Sequence, residues 1–241
     1  MKKILIALFA LVSVTAYAQP WQTIRGNGVT KKETRTVTEY TSLSSHGSIN
    51  VEISYGNSNT VQIEADENLL PYIETKVENG KLTVGSKKNV NLKSKSKMIV
   101  YVTMNKINSL QLSGSGNING EGAFSNSGKT SIGVSGSGNI NLKFDSFNEL
   151  DLAVAGSGNM DLKSKGSTTN ISAAISGSGN IDCSEVSTND VDAKISGSGN
   201  VKVFASHAID AKISGSGNVF YKGNASDISS KIAGSGKVLK M

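Results

Sequence analysis

Aspartates that recur at matching positions of a repeated segment are the residues of this sequence whose type and spacing best suit chemistry. They are Asp151, Asp161, Asp182, Asp192 and Asp210. Two carboxyl groups held on either side of a glycosidic bond can hydrolyse it. Lys194 and Lys212, however, follow two of these aspartates by two residues, and side chains two apart on a strand share a face. We therefore interpret the aspartates as outward surface residues whose charges pair between neighbouring segments, and we expect no catalytic residue.

The other reactive side chains are few. A single cysteine, Cys183, excludes a disulfide framework and a thiolate zinc site. Its place in the alternating pattern described below predicts a buried, unreactive thiol. His46 and His207 lie in a predicted turn and a predicted loop, without a serine–acid pattern around them. Because the nine-residue Gly-Gly-x-Gly-x-Asp calcium repeat also does not fit, we expect no metal and no cofactor.

The feature that must position these residues is an internal repeat. The string Gly-Ser-Gly occurs seven times at intervals of 18 to 22 residues and holds 14 of the 26 glycines. Its glycines are Gly114, Gly116, Gly136, Gly138, Gly156, Gly158, Gly177, Gly179, Gly197, Gly199, Gly215, Gly217, Gly234 and Gly236. An asparagine follows six of the strings: Asn117, Asn139, Asn159, Asn180, Asn200 and Asn218. Lys237 takes this place after the seventh.

Apolar residues alternate with polar ones on both sides of each string. Ile175 and Ala173 precede Gly177 by two and four residues, and Ile181 follows Asn180 directly. This period of two predicts strands with one buried face. A single unit could not bury its apolar side, whereas stacked units about 4.8 Å apart share one core. The sequence therefore predicts an all-β solenoid with two main strands per coil of about 20 residues, with room for a third short side.

The glycines and asparagines are predicted to be structural. A chain that crosses between sheets in so few residues needs positive φ angles, which glycine adopts without strain. Stacked coils would also place the asparagines in a column of mutually hydrogen-bonded amides. The alternative is that this column binds a ligand.

The N-terminal part of the sequence divides into three segments. A basic start, an apolar run from Ile4 to Val14 and the small residues Ala16-Tyr17-Ala18 predict a signal peptide at 1–18. Residues 19–32 are predicted to be mobile or a loose edge strand, and 33–241 to form a single solenoid domain. Within it, 33–108 would be irregular N-terminal coils, with a hairpin turn at Asn79-Gly80 and a loop or helical turn at Leu69-Leu70-Pro71. Residues 109–241 would be the regular repeats.

Charge and aromatic residues leave two alternatives open. Removing Lys2 and Lys3 leaves 23 basic and 19 acidic residues, a balance too even to indicate a nucleic-acid partner. Residues 87–97 contain five lysines and no acid, which favours a solvated loop over a polyanion-binding one. Four phenylalanines favour a cap on the edge of the core over an exposed strip for a partner or a sugar: Phe144, Phe147, Phe204 and Phe220.

These features together resemble a known family. The Gly-Ser-Gly-Asn strings, the export signal and the segment Ile63-Glu64-Ala65-Asp66-Glu67-Asn68-Leu69-Leu70 are similar to the head GIN domain family, over roughly residues 30–238. Its members are described as putative autotransporter adhesins of Gram-negative bacteria. The resemblance implies a right-handed β-helix similar to the pectin-lyase-like group, with the glycine motifs at tight turns between sheets. It also implies a role in cell-surface adhesion and brings no catalytic residues.

The sequence therefore predicts an exported, non-enzymatic β-solenoid that acts as a cell-surface adhesin or envelope scaffold. Its repetitive surface would bind a glycan or a protein, and the strand edges at its ends allow a homo-oligomer. We expect no transmembrane segment after signal cleavage, and residence in the periplasm, on the cell surface or in the medium. The alternative is a polysaccharide-binding or polysaccharide-cleaving protein of the pectin-lyase-like kind. A third hypothesis is a periplasmic solute-binding or envelope-stress module.

Overall fold

The computed structural model describes residues 21–241, and the predicted signal peptide lies outside them. These residues form one 3-10 helix, Glu67–Tyr72, and 21 strands. The strands are β1 (Gln22–Arg25), β2 (Thr30–Thr36), β3 (Ser42–Gly47), β4 (Asn50–Tyr55), β5 (Thr60–Asp66), β6 (Ile73–Glu78), β7 (Lys81–Ser86), β8 (Val90–Lys93), β9 (Ile99–Met104), β10 (Ser109–Gly114), β11 (Asn117–Glu121), β12 (Ser125–Gly136), β13 (Asn139–Phe144), β14 (Ser146–Gly156), β15 (Asn159–Gly177), β16 (Asn180–Gly197), β17 (Asn200–Phe204), β18 (Ala208–Gly215), β19 (Asn218–Lys222), β20 (Asp227–Gly234) and β21 (Lys237–Lys240).

Strands of successive coils pair in parallel and in register, so that Gly177 lies between Gly156 and Gly197. The long side that we call face 1 consists of strands that end at the first glycine of a motif or at Gly47. They are β3, β10, β12, β14, the second parts of β15 and β16, β18 and β20. Face 2 consists of strands that begin just after the motif: β4, β11, β13, the first parts of β15 and β16, β17, β19 and β21. The predicted all-β solenoid is confirmed, with about seven turns of about 20 residues each.

A short third side joins the two faces in several coils. Ser125 and Asn126 pair with Ser146 and Phe147, and Ser167 and Thr168 pair with Ser187 and Thr188. The strand register shifts after Asn126 in the first pairing and before Ser167 in the second, where the chain bends from one side to the next. The variable loop of the repeat therefore contributes its own short ladder of strands.

The core follows from the period-two pattern. On face 1, the residues two before each motif are no more than 3% exposed from Leu112 to Ile213. Each such aliphatic side chain contributes roughly 1.5–3 kcal/mol when it is fully buried. Phe144 and Phe147 are also buried and stack at a centroid distance of 4.3 Å, so these two rings close the edge of the core. Phe204 and Phe220 are only partly buried.

The N-terminal coils depart from pure parallel stacking. β5 pairs in antiparallel fashion with both β2 and β9, and β6 and β7 form a hairpin. The hairpin turn at Asn79-Gly80 is confirmed, with φ angles of 50° and 70° that suit a type I′ turn. The helical turn at Leu69-Leu70-Pro71 is confirmed as the 3-10 helix. Within 19–32, predicted to be mobile or a loose edge strand, residues 22–25 pair with β8 as strand β1, and β2 begins at Thr30.

The two ends of the solenoid differ in chemistry. The edge strands at the N-terminal end, β2 and β6, carry mostly charged and polar side chains, as natural sheet edges often do. At the C-terminal end, β20 and β21 each pair on one side only. Ile228 and Ile232, the register partners of the buried Ile209 and Ile213, are 42% exposed there. The inward residues of the last coil therefore lack a covering layer within residues 21–241.

Candidate functional site

The glycines of the motifs form a column in which backbones of successive coils touch. Gly177 has a φ angle of 128°, and an added Cβ there would stand 2.3 Å from the carbonyl oxygen of Gly156. That oxygen accepts hydrogen bonds from the N–H groups of Ser178 and Gly179, at 2.9 and 3.0 Å. The first glycines of the other six motifs also have positive φ angles, between 118° and 132°. No side chain fits at these positions without displacing the backbone of the neighbouring coil.

The asparagines that follow the motifs form a second column. Asn180 Nδ2 donates to Asn159 Oδ1 at 2.8 Å, while Asn180 Oδ1 accepts from the backbone N–H and the Nδ2 of Asn200, both at 3.1 Å. The same side-chain bond links each asparagine of the series to the one before it. Amides in this arrangement stabilise the stack and offer no acid or base for catalysis.

The asparagine column begins one coil earlier than the sequence pattern indicates. Asn117 Nδ2 donates to Asn50 Oδ1 at 3.1 Å, so Asn50 is its first member. The segment Gly47-Ser48-Ile49-Asn50 replaces the second glycine of the motif by isoleucine. An approximate motif search that allows one mismatch would have found it.

The aspartates of the repeat lie on the outer surface and are mostly paired with lysines. Asp192 and Asp210 pair with the lysines two residues later, Lys194 at 3.1 Å and Lys212 at 2.6 Å, within the same strand rather than between coils. The hydrogen bond from Lys212 lowers the pKa of Asp210.

Other aspartates pair between coils, as predicted. Asp151 lies 2.8 Å from Lys129, and Asp182 lies 3.3 Å from Lys202. Partial burial would raise the pKa of Asp182, but hydrogen bonds, above all from Ser184, outweigh it and lower that pKa. Asp161 pairs with Asp182 in the register but forms no ion pair among the described residues. A glycosidase needs one carboxyl whose pKa is raised, so the lowered pKa values of Asp182 and Asp210 suit surface charge pairing instead.

The remaining reactive residues are occupied or inaccessible. Cys183 is fully buried, as predicted, and burial raises the pKa of its thiol. His207 Nδ1 lies 2.7 Å from Asp190 Oδ1 in an exposed pair, and this hydrogen bond raises the pKa of the histidine. His46 Nε2 lies 3.1 Å from Ser44 Oγ. Within residues 21–241, no group of three or more histidine, cysteine or acidic side chains is placed to hold a metal ion.

Small outward residues leave a groove of about 610 Å³ on the outside of face 1. Its floor includes Ala153, Ala155, Ala174 and Ser176. The column that contains Ala153 and Ala174 continues as lysine in the next three coils: Lys194, Lys212 and Lys231. The groove therefore combines an apolar floor with lysines at the spacing of the coils, of which Lys194 and Lys212 are paired with aspartates.

A second groove of about 470 Å³ lies on the outside of face 2. A ladder of outward polar groups lines it, whereas Gly120 stands at an inward position between Ile53 and Leu142. Asn141 Nδ2 donates to Asn119 Oδ1, and Asn119 Nδ2 donates to Glu52 Oε1, both at 2.9 Å. The two grooves thus present different chemistry, with an apolar floor beside lysines on face 1 and amides with acidic and basic side chains on face 2.

A buried carboxylate that sequence reasoning missed lies near the N-terminal end. Asp66 is fully buried and accepts hydrogen bonds from the backbone N–H groups of Gly28, Lys95 and Ser96 and from Ser94 Oγ. Burial alone would raise its pKa, but these donors outweigh burial and lower the pKa to about 2. Asp66 therefore ties the turn before β2 to the loop after β8.

Comparisons with known proteins agree with this architecture. The family model described as "Putative auto-transporter adhesin, head GIN domain" matches residues 39–225. A crystal structure of a putative adhesin from Bacteroides fragilis is similar with a TM-score of 0.83 and 22% identity, over 90% of this chain and 100% of that chain. A putative lipid binding protein from Parabacteroides distasonis is similar with a TM-score of 0.71 and 25% identity, over 91% and 100% of the two chains. A putative adhesin from Parabacteroides merdae has a TM-score of 0.68 and 24% identity, over 91% and 99%.

The family match spans more than half of the sequence, whereas the structural likenesses below 25% identity support the fold alone. No curated protein matches the chain significantly. Among the described residues, no helix is long and apolar enough to cross a membrane. The chain belongs to the head GIN domain family of putative auto-transporter adhesins.

Proposed function

We propose that this protein is an exported, non-enzymatic adhesion module whose outer faces bind a surface glycan or protein. The observation that carries the proposal is the in-register stacking, which repeats outward side chains from coil to coil, as in the column of Lys194, Lys212 and Lys231. Extended repeat surfaces of this kind are well suited to binding extended or repetitive ligands. The groove on face 1 is the part of this surface where an apolar floor meets a repeated column of lysines and their paired aspartates.

A glycan and protein binding array with the purified protein tests this function. Replacing Ala174 by Tyr would fill the groove on face 1, and Asn141→Tyr is the matched control because it fills the groove on face 2. We expect the first change to weaken binding of the array ligand by about tenfold or more and the second to leave it unchanged. Equal binding by all three proteins would contradict the assignment to face 1.

The absence of enzymatic activity is part of the proposal and has its own test. It is supported by the ion pairs of Asp192 and Asp210 and by the lowered pKa of Asp210. The array polysaccharides are incubated with the protein and assayed for new reducing ends. Turnover that Asp161→Ala or Asp192→Ala abolishes would establish the alternative, a polysaccharide-cleaving protein.

Export and domain organisation are further parts of the proposal. We propose cleavage after Ala18, which N-terminal sequencing of the secreted or periplasmic protein tests directly, and a single domain over 33–241. Cell fractionation distinguishes the cell surface, the periplasm and the medium. Because parallel strands joined by a crossover are right-handed in nearly all proteins, we also propose that the coils wind in the right-handed sense.

We propose that the glycine motifs and the asparagine column are structural elements of the adhesion module rather than parts of its ligand site. Support comes from Gly177, whose added Cβ would collide with Gly156, and from Asn180, whose side-chain amide bonds both neighbouring coils. The exposed last coil also supports association between copies at the C-terminal end.

A further inference from the structure

Strands β1 and β8 form a separate two-stranded parallel sheet beside the N-terminal coils. Val90 and Leu92 of β8 are buried, and Ile24 of β1 packs against the same core. The alternate residues of both strands face solvent. We call residues 21–28 and 87–97, which make up this sheet and the segments beside it, the basic ribbon.

The basic ribbon contains six cations and no acid. They are Arg25, Lys87, Lys88, Lys93, Lys95 and Lys97. All six are exposed, and none belongs to an ion pair in the described part of the chain. Since residues 21–241 carry 23 basic and 19 acidic residues, the rest of this part of the chain has more acids than bases. The positive charge of the protein is thus concentrated here.

Two of these cations oppose each other directly. Arg25 of β1 and Lys93 of β8 are partners in the strand register, and both are exposed. Like charges directly opposite on neighbouring strands destabilise a sheet. An anionic group bound between them would remove the repulsion.

The buried acid Asp66 bonds to the backbone of the basic ribbon and forms no ion pair with its cations within residues 21–241. Asp66 accepts hydrogen bonds from Lys95 N and Ser96 N, at 2.9 and 3.3 Å, and from Gly28 N at 2.7 Å. These bonds hold the two segments of the ribbon together through their backbones. The side chain of Lys95 remains free to face solvent.

The ribbon also carries the single tryptophan of the sequence. Trp21 directly precedes β1 and is 70% exposed. It lines a small cavity of about 250 Å³ together with Val90, Leu92 and Met98. The tryptophan side chain has an apolar ring and a polar N–H group, and it is enriched at the headgroup level of membranes. Lysine and arginine meet lipid phosphates at the same level.

We propose that the basic ribbon binds an anionic lipid surface, with phosphate headgroups on its cations and Trp21 at the headgroup level. Each lysine or arginine close to an anionic leaflet strengthens binding by about fivefold, so that six of them form an effective membrane contact. The exposed tryptophan favours a lipid surface over a soluble polyanion, which would need only the charges. This membrane contact is separate from the groove on face 1, so either proposal can fail without the other.

Cosedimentation with vesicles tests the contact. The purified protein is mixed with vesicles of phosphatidylcholine alone or of phosphatidylcholine with phosphatidylglycerol. The triple variant Arg25→Glu, Lys93→Glu, Lys97→Glu is compared with Lys106→Glu, Lys222→Glu, Lys240→Glu. The control triple makes the same change of net charge at exposed lysines that form no ion pair within residues 21–241. Thermal unfolding curves confirm that both triples are folded.

We expect the protein to bind only the phosphatidylglycerol vesicles and the ribbon triple to lose about 100-fold in affinity. The control triple should lose much less. Equal losses in the two triples would overturn the proposal, since binding would then follow net charge alone. Binding of soluble polygalacturonate as tight as that of the vesicles would also overturn it, in favour of an acidic glycan.

Tryptophan emission gives an independent readout that does not depend on charge variants. Because Trp21 is the only tryptophan, its emission should move to shorter wavelength when phosphatidylglycerol vesicles are added. Lipids with brominated acyl chains should quench it. Vesicle binding without any change in the emission of Trp21 would show that another surface makes the contact.

Discussion

Gly197 lies directly next to Gly177 in the following coil, and a Cβ placed on Gly197 would stand 2.2 Å from the carbonyl oxygen of Gly177. Its φ angle of 131° is also one that side-chain-bearing residues rarely adopt. We expect Gly197→Ala to destabilise the protein by about 3 kcal/mol, which corresponds to a fall in Tm of about 6–12 °C. Gly128→Ala is the control, since its nearest neighbour is Asn126 Oδ1 at 3.7 Å. Equal melting temperatures for the two variants would contradict the stacked-turn interpretation.

The asparagine column makes a prediction about the hydrogen bonds between coils. Asn180→Ala removes the amide that links Asn159 to Asn200 and leaves both without a partner on that side. We expect a loss of about 1–3 kcal/mol in the free energy of unfolding, measured with urea. Asn224→Ala, at an exposed position with no side-chain hydrogen bond in the described structure, should change it by less than about 0.5 kcal/mol. If the two variants lose the same stability, the column contributes nothing beyond an ordinary surface position.

Asp66 predicts a dependence of stability on pH. Its pKa is about 2 in the folded protein and near 3.8 ordinarily, so the folded state favours the ionised form. The stabilisation is complete above the ordinary pKa and disappears as the pH falls from about 4 to about 2. Asp66→Asn replaces one carboxylate oxygen by an NH2 group, a donor that would face backbone N–H donors. We therefore expect the free energy of unfolding to fall by about 2 kcal/mol at pH 7. The difference in the free energy of unfolding between the unchanged protein and Asp66→Asn should narrow as the pH falls from about 4 to about 2. A gap that stays constant down to pH 2 would show that the charge of Asp66 does not matter.

The stacking predicts that whole coils can be removed. Deletion of residues 178–197 joins Gly177 to Ser198 and keeps a Gly-Ser-Gly motif, and Gly177 then meets Gly215 in the register. We expect a folded protein with a lower Tm, because stability in repeat proteins sums over units and their interfaces. Deletion of 188–197 removes half a coil, breaks the register and should prevent folding. Circular dichroism distinguishes the outcomes, and failure of both deletions would contradict independent coils.

The regular part of this fold follows directly from sequence. Glycines spaced 18 to 22 residues apart and the alternation around them are local signals, and they indicate the strands, the buried positions and the neighbours of Asn180 and Gly177. The third side was harder to predict, because the loop sequences differ between coils and only pairs such as Thr168 and Thr188 match.

The N-terminal features depend on contacts between distant parts of the chain, which a single sequence does not reveal. Asp66 bonds to Gly28 and to Lys95, 38 and 29 residues away. Arg25 and Lys93 become neighbours only because β1 crosses to β8. The lysines of 87–97 were visible as a charge run, but their sequence gives no sign that Trp21 and Arg25 join them.

The asparagine column has one more consequence, which comes from its direction. The side-chain bonds all run in the same sense, with Nδ2 of the later coil donating to Oδ1 of the earlier one. Backbone N–H groups that donate to the same oxygens fix which atom of the amide is oxygen in Asn50, Asn117, Asn180 and Asn200. Aligned amide dipoles add along an axis, as they do in a helix. The positive pole of this macrodipole points to the coil of Asn50. The backbone N–H of Asn50 donates to the carbonyl oxygen of Met98, which lines a cavity with Trp21. The amides therefore reinforce the positive electrostatic potential at the end of the solenoid that carries most of the unpaired lysines of residues 21–241.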